Sequence, residues 1–133
     1  MKPQNFFDTN VLIYAFSEAG VRTRQAELLL AGGGLISVQV LNEFVSVLRR
    51  KQQRSWEEIQ LFCRELLVCC PEPAPLTVAT HQMAVGICSR SNLSFYDGLI
   101  VAAAAENGCS TLWSEDLQDG QMIEGVRIEN PFA

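Results

Sequence analysis

The chain has 133 residues, 48% of them hydrophobic and 19% charged, enough for the core of a single domain over residues 1–133 and too apolar for a disordered polypeptide. Its net charge of −5 argues on its face against a nucleic-acid partner, because phosphate binding ordinarily shows as a basic surplus. No apolar run approaches the ~20 residues that a bilayer demands, and the carboxylate at Asp8 interrupts any signal core behind Met1-Lys2-Pro3. Five cysteines without a C-x-x-C pair speak against a disulfide framework or a structural zinc site. The expectation is a reduced, cytoplasmic protein with no membrane association.

Asn5-Phe6-Phe7-Asp8 is a short apolar run stopped by a carboxylate and predicts a buried strand. Asp8, Thr9 and Asn10 then offer capping side chains for a helical segment through Val11–Phe16. A helix is predicted from Arg22 to Ala31, with Ala26, Leu29 and Leu30 inward, ended by Gly32-Gly33-Gly34. Leu35-Ile36-Ser37 reads as a second strand. From about Val38 to Lys51, Leu41, Phe44, Val45 and Leu48 keep the i, i+3, i+4, i+7 spacing of one buried helical face. Ser55 with Glu58 is a capping box opening a helix to about Cys70, broken by Pro71, Pro73 and Pro75. Thr77 to about Ser89 is again helical. Ser94 starts a long apolar helix that closes at Asn107-Gly108. Cys109–Trp113 and Val126–Ile128 read as the last two strands. Short strands alternating with helices predict an α/β fold with a mostly parallel sheet, whose ligand site lies at the carboxyl ends of the strands.

Four carboxylates fall at such places: Asp8 after the first strand, Glu43 on the helix after the second, Asp97 at the start of the apolar helix, and Asp116 beyond the third strand. Singly, each has an ordinary alternative. Asp8 could be an N-cap, Ser94-Phe95-Tyr96-Asp97 a capping box, and Asp116 and Asp119 turn residues. Glu43 is harder to explain so. It shares a helical stripe with Gln39, Val40 and Val47 at the edge of the apolar face, where an ionised carboxylate needs a partner or a metal. Carboxylates gathered in one cleft raise each other's pKa. Mg²⁺ or Mn²⁺, which prefer oxygen ligands, reverse that cost and can activate water against a phosphodiester.

Phe6-Phe7-Asp8-Thr9-Asn10-Val11-Leu12-Ile13-Tyr14 resembles the opening motif of the PIN-domain ribonucleases, of which VapC-type toxins are the largest group. Glu43 in Val40-Leu41-Asn42-Glu43-Phe44 is similar to the family's helical glutamate, and Asp97 in Phe95-Tyr96-Asp97-Gly98-Leu99-Ile100-Val101-Ala102 to its third acidic position. Ser114-Glu115-Asp116-Leu117 resembles the closing Thr-x-Asp motif, with Ser114 supplying the hydroxyl. The likeness runs from Phe6 to Ile128 and departs at Gln118, where the family often has a further Asp; Asp119 is the nearest substitute. It implies a three-layer α/β/α fold with a mostly parallel central sheet, and Mg²⁺- or Mn²⁺-dependent hydrolysis of RNA. Asp8, Glu43, Asp97 and Asp116 are implied as metal ligands, with Thr9, Asn10, Ser114 and Asp119 orienting them. A small antitoxin and a homodimer are the implied partners. The alternative is a catalytically weak module of the same fold that binds RNA or protein.

The charge objection now weakens. Asp8, Glu43, Asp97, Asp116 and Asp119 together account for the whole net charge of −5, so the remainder is neutral. Arg49, Arg50, Lys51 and Arg54 cluster just past the helix of Glu43, either as a solvated helix end that suits the macrodipole or as an RNA-backbone contact. Other chemistries fit less well. His81 stands alone and is expected on a helix surface, and Gly32-Gly33-Gly34 lacks a phosphate-loop lysine. A receiver domain needs a late lysine, whereas the only lysines are Lys2 and Lys51. A haloacid-dehalogenase-type phosphatase needs a second Asp where Asn10 stands.

Overall fold

A computed structural model describes residues 4–133; the sequence reading of Met1-Lys2-Pro3 lies outside them. The elements run β1 (Asn5–Phe7), α1 (Thr9–Ala15), α2 (Val21–Ala31), α3 (Val38–Arg50), α4 (Trp56–Cys69), α5 (Val78–Arg90), α6 (Phe95–Glu106), β2 (Thr111–Trp113), β3 (Met122–Ile123) and β4 (Val126–Glu129). The fold is the expected α/β arrangement of short strands and flanking helices. Among the described residues no helix is long and apolar enough to cross a membrane.

The sheet order is β1-β2-β4-β3. β1 pairs parallel with β2, placing Phe6 opposite Leu112 and Phe7 opposite Trp113; β2 pairs parallel with β4, placing Leu112 opposite Ile128. Parallel neighbours need a long crossover, and here the helices α1 to α6 supply it between β1 and β2. Phe6, Phe7, Leu112 and Ile128 are fully buried, as strands covered on both faces must be.

Two sequence expectations are corrected here. Leu35–Ser37 does not form a full strand. It pairs with β1 through a single bridge between Phe6 and Leu35, and with Ala74 through a second at Ser37, because Ser37 already caps α3 by accepting the N–H of Val40. The unforeseen strand is β3, antiparallel to β4. Its turn places both Glu124 (φ 51°) and Gly125 (φ 80°) in the left-handed region, the geometry of a two-residue hairpin.

Helix signals carried through well. The Ser55–Glu58 capping box is complete, and Thr77 and Ser94 cap α5 and α6. On α3 the fully buried positions are Val40, Phe44 and Leu48, one turn apart, while Leu41 and Val45 are half-buried at the flank of that stripe. α6 is buried from Gly98 to Ala104, which explains a run without a polar residue. It packs closely on α5: a Cβ on Gly98 would sit 2.4 Å from Cys88 Sγ and 3.3 Å from the Ala84 carbonyl oxygen. Glycine beside Asp97 is therefore what sets the depth of that helix start.

Candidate active site

Asp8 and Ser114 leave neighbouring parallel strands side by side. The Asp8 N–H donates to the Trp113 carbonyl at 3.0 Å and the Ser114 N–H to that of Glu129 at 2.9 Å, so the ladder runs one step beyond each strand. This brings the buried Ser114 hydroxyl to donate to Asp8 Oδ2 at 2.7 Å. Asp8 Oδ1 accepts the Thr9 N–H at 2.7 Å, so the N-cap role and a role in the cluster coexist. Asn10 reaches across from α1. Its amide donates to Asp116 Oδ2 at 3.1 Å and less closely to Asp8 Oδ2 at 3.4 Å. Its oxygen accepts the Glu115 N–H at 3.2 Å. The Asp116 N–H in turn donates to Ser114 Oγ at 3.1 Å.

Glu43 arrives from α3. The Thr9 hydroxyl donates to its Oε1 at 3.3 Å and the Gln39 amide, one turn earlier, to Oε2 at 3.0 Å. Asp97 stands on the first turn of α6, its N–H donated to Ser94 Oγ at 3.2 Å. Electrostatics tie the four together. Burial pushes the Asp8 carboxyl from 3.8 up to about 7; the Ser114 hydroxyl and Thr9 N–H work against this, while the charges of Asp97 and Glu43 add to it. Burial also raises Glu43, opposed by the Gln39 hydrogen bond and reinforced by Asp97 and Asp116. Asp97 is raised by burial and by Asp116, against the hydrogen bond of Ser94.

The donor set is wholly oxygen and carries mutually repelling charges, the chemistry of a hard divalent cation site. Among the described residues no three acidic, histidine or cysteine side chains crowd closely enough to enclose an ion by themselves. An all-oxygen set of this kind fits a hard divalent cation that takes only one or two carboxylates and keeps several waters.

Asp119 stands apart from the cluster. Its Oδ1 accepts the Asn130 N–H at 2.9 Å, and the groove bordered by Asp97 and Asp116 is lined by Gln118 instead. The basic quartet divides. Arg49 lies over the Trp56 ring at 4.9 Å and donates to the Arg54 carbonyl; Arg54 pairs with Glu58 at 3.2 Å. Arg50 and Lys51 make no side-chain hydrogen bond or ion pair with another described residue, and each lines a groove that Glu43 also borders. His81 is exposed, edge-on to Phe95. Burial pushes the Cys70 thiol up to about 11.

One constellation escaped the sequence reading. Arg22 on α2 donates to the Tyr14 hydroxyl at 2.8 Å and to Glu115, and the Tyr14 hydroxyl donates to Glu115 Oε2 at 3.0 Å. Tyr14 also meets Phe132 edge-on at 4.8 Å. This clamp anchors the residue between Ser114 and Asp116. No local pattern announces it, because Arg22 and Glu115 are 93 residues apart.

Comparison with known proteins bears on the family and the fold. A sequence profile of the PIN domain matches residues 6–118. No curated protein matches the chain. Among solved structures, a toxin–antitoxin complex from Klebsiella pneumoniae superposes with a TM-score of 0.72 at 21% identity, covering 96% of this chain and 97% of that one. VapBC2 from Rickettsia felis, bound to a DNA fragment of its promoter, gives 0.71 at 19%, covering 95% and 97%. The sarcin–ricin-loop-cleaving toxin VapC20 of Mycobacterium tuberculosis gives 0.70 at 19%, covering 84% and 91%.

Proposed function

The chain belongs to the PIN-domain family, and from that premise we propose that it is a divalent-metal-dependent endoribonuclease hydrolysing RNA phosphodiester bonds, the toxin of a toxin–antitoxin pair. The observation that carries this reading is the gathering of four carboxylates around one place: Asp8, Glu43 and Asp116 are linked through Thr9, Asn10 and Ser114, and Asp97 shares one groove with Glu43 and another with Asp116. These four residues would hold one or two Mg²⁺ or Mn²⁺ ions, largely through water. Bound there, a divalent metal would supply Lewis-acid activation of water and of the scissile phosphate.

The protein's own share is preorganisation. Ser114 and the Thr9 N–H fix Asp8, Asn10 fixes Asp116, and Thr9 with Gln39 fixes Glu43, so the acidic groups are oriented before substrate arrives. Arg50 and Lys51 counter the acidic field along the approach of the phosphates. The experiment is cleavage of single-stranded RNA by the purified chain in Mn²⁺. Asp8→Asn and Asp97→Asn each abolish it while the circular dichroism spectrum is retained. Cleavage that survives both substitutions, or survives excess EDTA, overturns the reading.

The toxin–antitoxin complex of similar fold from Klebsiella pneumoniae supports a small antitoxin as partner, and the same reading makes the toxin a cytoplasmic homodimer. Growth arrest on induced expression, relieved by co-expressing the product of an adjoining short open reading frame, tests the pairing. Sedimentation of the purified chain tests the dimer.

A further inference from the structure

Three grooves meet at the acidic cluster. Glu43 borders two of them, and so do Asp97 and Asp116. They differ in what else they offer. One, of about 560 Å³, runs between α3 and the start of α6 and is lined by Asn42, Arg50 and Tyr96 beside Glu43 and Asp97. Tyr96 is 62% exposed. Among the described residues its ring pairs with one other ring, that of Phe95, at 5.9 Å between centroids, and its hydroxyl has no hydrogen-bond partner. The Ser94 cap and the buried body of α6 hold this side chain on a rigid element. The groove on the opposite side of Glu43 is lined by Lys51, Gln52 and Tyr14. There the aromatic is already occupied: Tyr14 packs on Phe132 at 4.8 Å, with the Arg22 guanidinium over its ring at 5.4 Å.

We infer that the Arg50–Tyr96 groove is a nucleobase subsite for single-stranded RNA. Tyr96 stacks on the base of a nucleotide flanking the scissile phosphate, and Arg50 pairs with that nucleotide's backbone. A free aromatic face next to an uncommitted guanidinium is the combination by which single strands are held. The Lys51 groove offers charge without a free ring, so it grips the backbone alone. The strand is thus read on one side of the cleavage point only. This inference rests on the endoribonuclease reading and deepens it.

The test uses the full chain, a single-stranded RNA oligonucleotide carrying 2-aminopurine, and Ca²⁺ to occupy oxygen sites without turnover. Stacking on Tyr96 quenches the 2-aminopurine emission in the wild type and in Tyr96→Phe. Tyr96→Ala loses the quench and about tenfold or more in affinity, the cost of removing one stacked base. Arg50→Ala weakens binding and keeps the quench at saturating protein. Equal affinity and quench for Tyr96→Ala and wild type, while wild type still cleaves RNA in Mn²⁺, overturn the subsite alone. Tyr96→Phe behaving like Tyr96→Ala also overturns it, since the hydroxyl and not the ring would be the point of attachment. A wild type that neither binds nor cleaves RNA overturns the subsite and the endoribonuclease reading together.

Discussion

Asp8→Asn tests the electrostatics of the site without any substrate. The Asp8 carboxyl is 3% exposed, and burial, followed by the charges of Asp97 and Glu43, raises it from 3.8 to about 7. The folded state therefore prefers the protonated acid, whereas the unfolded chain ionises near 3.8. Below that value both states are protonated and the group costs nothing. As pH rises from about 4 to 7 the unfolded state loses its proton first, and stability falls, reaching a penalty of about 4 kcal/mol above pH 7. Asparagine removes the penalty. It costs about 1 kcal/mol because one of its polar atoms can no longer accept the Ser114 hydroxyl, which must turn to receive the amide instead. The variant is expected to be about 3 kcal/mol more stable than wild type at pH 8, or about 10 °C higher in Tm. Between pH 8 and pH 5 that advantage shrinks to below about 1 kcal/mol. Urea melts in EDTA at the two pH values measure both quantities. A variant less stable than wild type at pH 8, or a difference that does not change with pH, refutes the reasoning.

Metal uptake at the same site competes with the Asp8 proton, so Mn²⁺ affinity measured calorimetrically falls as pH drops below about 7. Ser114→Ala removes the donor to Asp8 and the acceptor for the Asp116 N–H; Mn²⁺ affinity should drop by about 10- to 100-fold, and an unchanged isotherm would refute its orienting role. Gly98→Ala drives a methyl toward Cys88 Sγ and the Ala84 carbonyl, costing about 1–3 kcal/mol in urea melts; adding Cys88→Ala recovers part of the loss. Replacing Arg50 and Lys51 together by Ala should flatten the salt dependence of RNA binding in Ca²⁺ by about 0.7 for each phosphate these two side chains neutralise. Arg49→Ala, which loses its stacking on Trp56, lowers stability and leaves that slope alone.

Much of the fold was legible because its signals are local. Caps such as Ser55, Thr77 and Ser94 act on backbone groups three residues away, and the buried stripe of α3 repeats within two turns, so neighbouring residues alone specify them. The four carboxylates could be named from their places after strands and at helix starts, together with the resemblance of the surrounding motifs. What the sequence left open depends on pairings between distant residues. The two-residue strand β3 is too short to carry a period, and it exists because β4 lies beside it. Leu35–Ser37 stops short of a strand because Ser37 is also a helix cap. Asp119 and Asp116 look alike in sequence, yet one ties down Asn130 and the other meets Asn10 across 106 residues. Arg49, Arg50, Lys51 and Arg54 are a single charge run on paper; the packing of α4 against the end of α3 commits two of them and frees the other two to line the grooves. Carboxylate affinity for protons follows the same rule. Local sequence supplies the charges, but only the tertiary fold sets how far water is excluded from Asp8 and how near Glu43 and Asp97 come to it, and desolvation and Coulomb repulsion both depend on those distances.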